Sequence, residues 1–281
     1  MRSGTRPGTA TSNIDQMKNS RIAIIGGGNL GGAIAEGLIK SRFVAPDRIT
    51  VTRRNVEALH HLAAQGVKVT ADNAEAIRNS EVIIVALKPY NVKDVLEGLK
   101  KHFDAKQHVV ISVVTGVFLK DLTAIVDHGV PIFRAMPNTA IAIQESVTCL
   151  CHAGGSEAQV QYVTELFDQL GITIGLDEKL MDAATVLGAC GIAYALRFIR
   201  ASTQGGIEIG FDAKTANLIA AQTVKGAAEL LLKLNRHPEE EIDKVTTPKG
   251  CTIVGLNEME HRGFSSSLIK GIGASFDKIV K

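Results

Sequence analysis

Residues 22–32 read Ile-Ala-Ile-Ile-Gly-Gly-Gly-Asn-Leu-Gly-Gly and restrict the fold more than any other stretch of the chain. Four apolar residues run into Gly26, Gly28 and Gly31, and Leu30, Ile34 and Leu38 continue at helical spacing. That order is strand, glycine turn, helix, the context in which a G-x-G-x-x-G spacing carries meaning. Gly26 allows the tight turn, Gly28 lets the backbone approach a pyrophosphate, and Gly31 lets the helix lie close to the strand. The helix N-terminus then offers unpaired N–H groups and a partial positive charge to phosphate. A dinucleotide site is the expectation; a glycine-rich βα turn without a ligand is the alternative.

Downstream, strand and helix signals alternate. Strands are expected at 47–54, 67–70, 82–87, 109–114, 131–134, 147–151 and 172–174. The continuous apolar runs at 82–87 and 109–114 suit strands buried on both faces of a parallel sheet. Helices are expected at 55–65, at 91–101, at 118–126 and after a Ser156 cap, with a short one capped by Asp72 or Asn73. This reads as an α/β chain with a Rossmann-type doubly wound sheet over residues 20–176. Beyond Gly175 the strand signals stop. Residues 177–281 read as an all-α domain for dimerisation and substrate binding. Its longest helix, 213–235, is capped by Asp212 and carries a wide stripe through Ala216, Ile219, Ala227, Leu230 and Leu234. Two domains also suit a length of 281 residues.

A net charge of +2 argues against nucleic-acid and anionic-membrane partners. No uninterrupted apolar run approaches the roughly 18 residues of a membrane span. The four cysteines, Cys149, Cys151, Cys190 and Cys251, show no C-x-x-C spacing, and no zinc or other metal site is expected. They read as buried free thiols in a reducing, cytoplasmic setting. Residues 1–19 lack the apolar core of a secretory signal and read as a disordered tail.

The end of the second strand selects the cofactor. NAD-binding units place Asp or Glu there, about 20 residues past the glycines. Here the residues are Thr52, Arg53 and Arg54. Two guanidinium groups suit a 2′-phosphate, so NADPH is expected, with NADH the weaker donor. A second informative stretch is Thr247-Pro248-Lys249-Gly250-Cys251-Thr252, a turn leading into a helical pattern. Its free N–H groups suit a small carboxylate, with the Thr247 and Thr252 hydroxyls alongside. By itself it is equally well a capped helix.

Taken in order over residues 21–275, the chain resembles the pyrroline-5-carboxylate reductase family. The residues that carry the resemblance are Ile25-Gly-Gly-Gly-Asn-Leu-Gly, Ala86-Leu87-Lys88-Pro89, Met136-Pro137-Asn138-Thr139, Gly191-Ile192-Ala193-Tyr194 and the turn and helix at 247–260. The last is the most family-specific; the first occurs in many dehydrogenases. The resemblance implies an oxidoreductase of proline, hence amino-acid, biosynthesis, in which NADPH reduces the cyclic imine of 1-pyrroline-5-carboxylate at C5 to give L-proline. It places Ile25, Gly26, Gly27, Gly28, Asn29, Leu30, Thr52, Asn73, Ala86, Leu87, Lys88 and Pro89 at the cofactor. It places Gly250, Cys251 and Thr252 at the substrate, with the Thr252 hydroxyl near the imine nitrogen. It further implies a homodimer or a larger homo-oligomer of dimers, with segments of two subunits meeting at the site. No Asp, His or Lys stands out as a catalytic acid, and Thr252 is better read as an orienting hydrogen-bonding group. Where the family usually reads Ser-Pro-Gly-Gly-Thr-Thr, this chain has Lys249 and Cys251, which bears on substrate affinity and range. The alternatives are a related imine or keto-acid reductase of the same architecture and a non-catalytic NADP-binding regulator.

Overall fold

A computed structural model describes residue 17, residues 19–126 and residues 129–280. The chain divides into two compact units between Ala189 and Cys190. The expected tail lies outside the described residues, save Met17 and Asn19; Met17 packs against the core. His128 also lies outside them.

The first unit is built on eight strands: β1 (Ile22–Ile25), β2 (Ile49–Thr52), β3 (Lys68–Thr70), β4 (Val82–Val85), β5 (Val109–Ser112), β6 (Ile132–Met136), β7 (Ser146–Ala153) and β8 (Gly171–Gly175). They form one sheet in the order β3-β2-β1-β4-β5-β6-β7-β8. The order reverses between β1 and β4, the crevice where doubly wound sheets bind ligands. Helices α1 (Asn29–Lys40), α2 (His60–Ala63), α3 (Asn73–Arg78), α4 (Pro89–Leu99), α5 (Leu119–Val126) and α6 (Glu157–Asp168) cover its faces.

Strand alternation sorts the core into two layers. Ile22 and Ile24 meet Ile34 and Leu38 of α1 and Val163, Leu166 and Phe167 of α6. Ala23 and Ile25 share the opposite layer with Val92 and Leu96 of α4 and Leu119 and Leu122 of α5. All four residues of β1 are fully buried, which is why that strand reads as an unbroken apolar run.

The sheet is not wholly parallel. β6 and β7 pair antiparallel, Ile132 opposite Ala153 and Met136 opposite Cys149. A parallel return needs a crossover of about a dozen residues, usually helical. Residues 137–145 hold only the 3₁₀ turn Thr139–Ile143, so the chain reverses instead.

The contacts divide the chain at 189/190, somewhat beyond the 176/177 boundary expected where the strand signals stop. After β8 the chain enters α7 (Met181–Ala184) and a π-helical stretch, Thr185–Cys190. Met181 is fully buried in the core layer that holds Cys149 and Cys151, so this segment stays with the sheet.

The second unit comprises α8 (Gly191–Glu208), α9 (Ala213–Leu234), α10 (Pro238–Val245), α11 (Cys251–His261) and α12 (Phe264–Val280). Asp212 caps α9, its Oδ1 accepting from the N–H groups of Lys214 and Thr215 at 3.0 and 3.1 Å. A Cβ on Gly206 of α8 would stand 3.0 Å from the Ala216 Cβ of α9, a close approach that small residues permit. Tyr194 and Ser275 share a 2.6 Å hydrogen bond that ties α8 to α12. Much apolar surface of this unit remains uncovered within one chain: Ile219, Leu230 and Leu234 of the stripe are about half exposed, and Leu218, Leu232 and Ile269 about 70 %.

The helical run Glu178–Glu208 holds an 18-residue window of mean hydropathy 1.4, of which 11 % is buried within the chain. By length and composition it is apolar enough to cross a membrane, which corrects the reading from uninterrupted runs alone. Polar residues interspersed through it conceal the apolar total.

Candidate active site

Three strands end level at the carboxyl edge of the sheet: Ile25 is in register with Thr52 and with Val85. β1 leads into the glycine turn. Gly26 has φ +110°, and its N–H points back to Thr52, to the carbonyl at 3.2 Å and the hydroxyl oxygen at 3.3 Å. The Gly27 N–H donates to the same carbonyl at 2.7 Å. These two amides are therefore committed to the end of β2. Those of Asn29, Leu30 and Gly31 precede the first intrahelical bond, Gly32 N–H to Gly28 O, and are the orphan donors of α1. The first turn of α1 carries no acid. A Cβ built on Gly28 meets nothing within 4 Å, an open approach to these donors that fits a pyrophosphate. A Cβ on Gly31 would stand 2.2 Å from Gly26 O, so helix and turn touch there.

β4 completes this edge. The Ala86 N–H donates to Ile25 O at 2.9 Å, and Ala86 O would lie 2.5 Å from any Cβ on Gly26. Leu87 follows, Lys88 is the N-cap residue of α4 and Pro89 its first residue. A proline is favoured there because its missing N–H costs the helix nothing. Asn73 is the first residue of α3, and the capping role open to Asp72 or Asn73 belongs to Asp72. Its Oδ1 accepts from Ala74 and Glu75 N–H, which holds the carboxyl below its usual range.

Thr52 and Arg53 have roles the sequence did not reveal. Thr52 is buried, and its hydroxyl oxygen is bound to the turn. Arg53 Nη1 donates to Gly27 O at 3.0 Å, so Arg53 braces the glycine turn. Arg54 is exposed, with no carboxylate in ion-pair range among the described residues, and is the freer of the two for a 2′-phosphate. Arg54→Ala is therefore expected to lower kcat/KM with NADPH by about tenfold while sparing NADH, the scale of a charged hydrogen bond. Arg53→Ala is expected to weaken both. Steady-state kinetics with each donor checks the pair.

In the second unit, Gly250 N–H closes a turn on Thr247 O at 2.9 Å. Gly250 is the N-cap residue of α11 and has no side-chain cap. A Cβ there would displace the Thr247 hydroxyl and stand 3.0 Å from Thr247 O, so glycine eases the turn. Cys251 and Thr252 open the helix, and their N–H groups are among its orphan donors. No acid lies in its first turn. Thr252 is half-buried and Cys251 exposed. This corrects the expectation that all four cysteines are buried: Cys149 and Cys151 are, Cys190 is half-buried and Cys251 is open. Burial pushes the Cys151 thiol up to about 11. Among the described residues, no three His, Cys, Asp or Glu side chains group to hold a metal.

Three further residues have contacts that the sequence does not show. Asn138, almost fully buried, caps the turn after β6 and donates through Nδ2 to Gly188 O at 3.4 Å. Arg134, 1 % exposed, pairs with Glu178 at 2.7 Å. These contacts join positions far apart in sequence, and only the charge of Arg134 within an apolar strand hinted at a partner.

The fold and this edge define a nicotinamide-dinucleotide oxidoreductase with a helical second domain. The family model for pyrroline-5-carboxylate reductase dimerisation matches residues 178–281, and that for NADP oxidoreductase, coenzyme F420-dependent, matches residues 21–116. Pyrroline-5-carboxylate reductase 2 of Dictyostelium discoideum is 42 % identical over 283 residues, covering 95 % of this chain and 94 % of that protein. Pyrroline-5-carboxylate reductase 1 of the same organism is 44 % identical over 94 % of this chain, which spans half the length of that relative. A crystal structure of the Plasmodium falciparum enzyme with NADP bound superposes with TM-score 0.83 at 25 % identity, covering 93 % of this chain and 97 % of that one. The structure from Coxiella burnetii gives 0.86 at 29 %, with the same coverage. The chain belongs to the pyrroline-5-carboxylate reductase family.

Proposed function

We propose that this chain reduces 1-pyrroline-5-carboxylate to L-proline with NADPH, the last step of proline biosynthesis. The carrying observation is the 42 % identity, over nearly the whole of both chains, to a pyrroline-5-carboxylate reductase. The net change is one hydride added at C5 and one proton on nitrogen. Bound NADPH supplies the hydride. The orphan amides of Asn29, Leu30 and Gly31 hold its pyrophosphate, and Arg54 its 2′-phosphate. The amides at the start of α11 take the substrate carboxylate, and the Thr252 hydroxyl bonds the imine nitrogen. A protonated imine is already electrophilic, so the protein contributes position more than acid strength.

The working form is a homodimer, in which the exposed faces of α8, α9 and α12 are covered by a second chain; rings of dimers are the larger assembly. The uncovered leucines and the match to a dimerisation model support this. The apolar run in Glu178–Glu208 is accordingly a subunit-facing surface and not a membrane span, and the enzyme works in the cytoplasm.

The test is NADPH oxidation with 1-pyrroline-5-carboxylate against a panel of 2-keto acids. Turnover on the imine alone is expected; turnover on keto acids alone would assign a keto-acid reductase, and none on either a non-catalytic NADP-binding protein. Thr252→Ala is expected to lower kcat about tenfold, the loss of one hydrogen bond to a charged group, while the Kd for NADPH stays put. An unchanged kcat would remove Thr252 from the mechanism.

A further inference from the structure

His108 is the buried end of an otherwise open turn: residues 104–107 face solvent, while His108, just ahead of β5, is 3 % exposed. The two ends of the turn bond each other twice. His108 N–H donates to Asp104 O, and Asp104 N–H donates to His108 Nδ1, both at 2.8 Å. A ring nitrogen that accepts from an amide carries no proton, so the imidazole is neutral with its hydrogen on Nε2. Nε2 lies toward the carbonyls of Ile77 and Ser80 at the end of α3, in neither case with hydrogen-bond geometry, and it has no partner among the described residues. The Phe103 ring meets the imidazole edge-on, with centroids 6.2 Å apart. The charged groups around it are Asp104 and Lys106 on the turn itself, Glu81 ahead of β4, paired with Arg21, and Arg78 at the end of α3, which approaches His102 to 3.5 Å.

We propose that His108 is an acid-operated latch: its neutral ring holds the 104–108 turn closed against the end of α3, and a proton on Nδ1 opens the turn. A charged imidazole carries hydrogen on both nitrogens, so Nδ1 would confront the Asp104 N–H as a second donor. That bond must break before the ring can charge, and the charge would otherwise sit buried with Nε2 unpaired. Burial holds the imidazole pKa below its usual value, against the pull of the Asp104 and Glu81 carboxylates. The closed turn therefore binds this proton more weakly than the open turn, in which histidine titrates near about 6.5. The latch is fully engaged above about pH 6.5 and loosens as pH falls from there toward the lower pKa of the closed turn. Each pH unit inside that window shifts the balance toward the open turn by about tenfold.

The experiment is amide hydrogen exchange of the full chain at neutral pH and at about pH 5, each rate referred to that of an unstructured peptide at the same pH. Protection of the Asp104 and His108 amides is expected to fall about tenfold or more across this interval, while that of Ile24 in β1 holds steady. His108→Gln keeps an acceptor for the Asp104 N–H and takes up no proton in this range, so its protection at Asp104 should not depend on acid. The nitrogen chemical shifts of His108 in the unaltered protein supply a measurement that needs no variant: Nδ1 should be bare at neutral pH. Protection that stays level in the unaltered chain, an equal acid-dependent fall in the Gln variant, or a proton on Nδ1 at neutral pH would each overturn the latch.

Discussion

Glu178→Ala is expected to destabilise the sheet unit by about 3 kcal/mol or more, the cost of stranding a buried charge. Arg134 is 1 % exposed, and its Nη1 meets Glu178 Oε1 at 2.7 Å. The same carboxylate oxygen accepts the Leu119 N–H at 2.7 Å, so it also satisfies the start of α5. The Phe118 ring lies 5.1 Å from the Arg134 guanidinium carbon. Nε and Nη2 of Arg134 are buried without hydrogen-bond partners among the described residues, so this cation has little support beyond Glu178 and the ring. In a unit of this size the loss corresponds to a fall in Tm of roughly 6–12 °C at fixed protein concentration. Glu178→Gln, which keeps an acceptor for Leu119, should cost less. The double change Arg134→Met with Glu178→Leu should recover much of the loss, since an apolar replacement removes the charge together with its partner. Urea denaturation of the four proteins decides; a loss below about 1 kcal/mol for Glu178→Ala would mean that Arg134 finds other solvation.

Gly31→Ala is expected to abolish measurable cofactor binding and to cost about 1–3 kcal/mol in stability, the range for overpacking. The new Cβ would stand 2.2 Å from Gly26 O, which belongs to the turn itself, so helix or turn must move. Moving either displaces the orphan amides of α1 that are proposed to hold the pyrophosphate. The neighbouring Gly32→Ala is a matched control. Nothing lies within 4 Å of a Cβ at that position, and relief from a glycine inside a helix should make it neutral or stabilising by up to about 1 kcal/mol. Titration of both variants with NADPH, followed by nucleotide fluorescence, checks the contrast. Equal affinities would show that close packing at Gly31 is not what shapes the site.

The parts of the fold legible in the sequence are those written in local signals. The run 22–25, the glycine spacing and the helical period after it identify β1, the turn and α1 without any distant contact. The caps at Ser156 and Asp212 were readable for the same reason, each side chain bonding its own first turn. What escaped depends on distance. The reversal of β7 was implicit in the brevity of 137–145, but alternating strand signals favoured a uniformly wound sheet. That Arg53 also braces the turn is not legible, because nothing local shows that its guanidinium reaches Gly27, 26 residues back. Arg134 and Glu178 are separated by 44 residues. The turn at 247–250 was visible, but the left-handed backbone of Lys249 appears only in three dimensions.

The most direct measurement is reduction of 1-pyrroline-5-carboxylate with NADPH carrying deuterium at the transferable nicotinamide position. The expected product is L-proline with a single deuterium at C5, formed one for one with NADP. Nucleotide oxidation without labelled proline, or a failure to oxidise the nucleotide with this imine, would contradict the assignment of the chain as a pyrroline-5-carboxylate reductase.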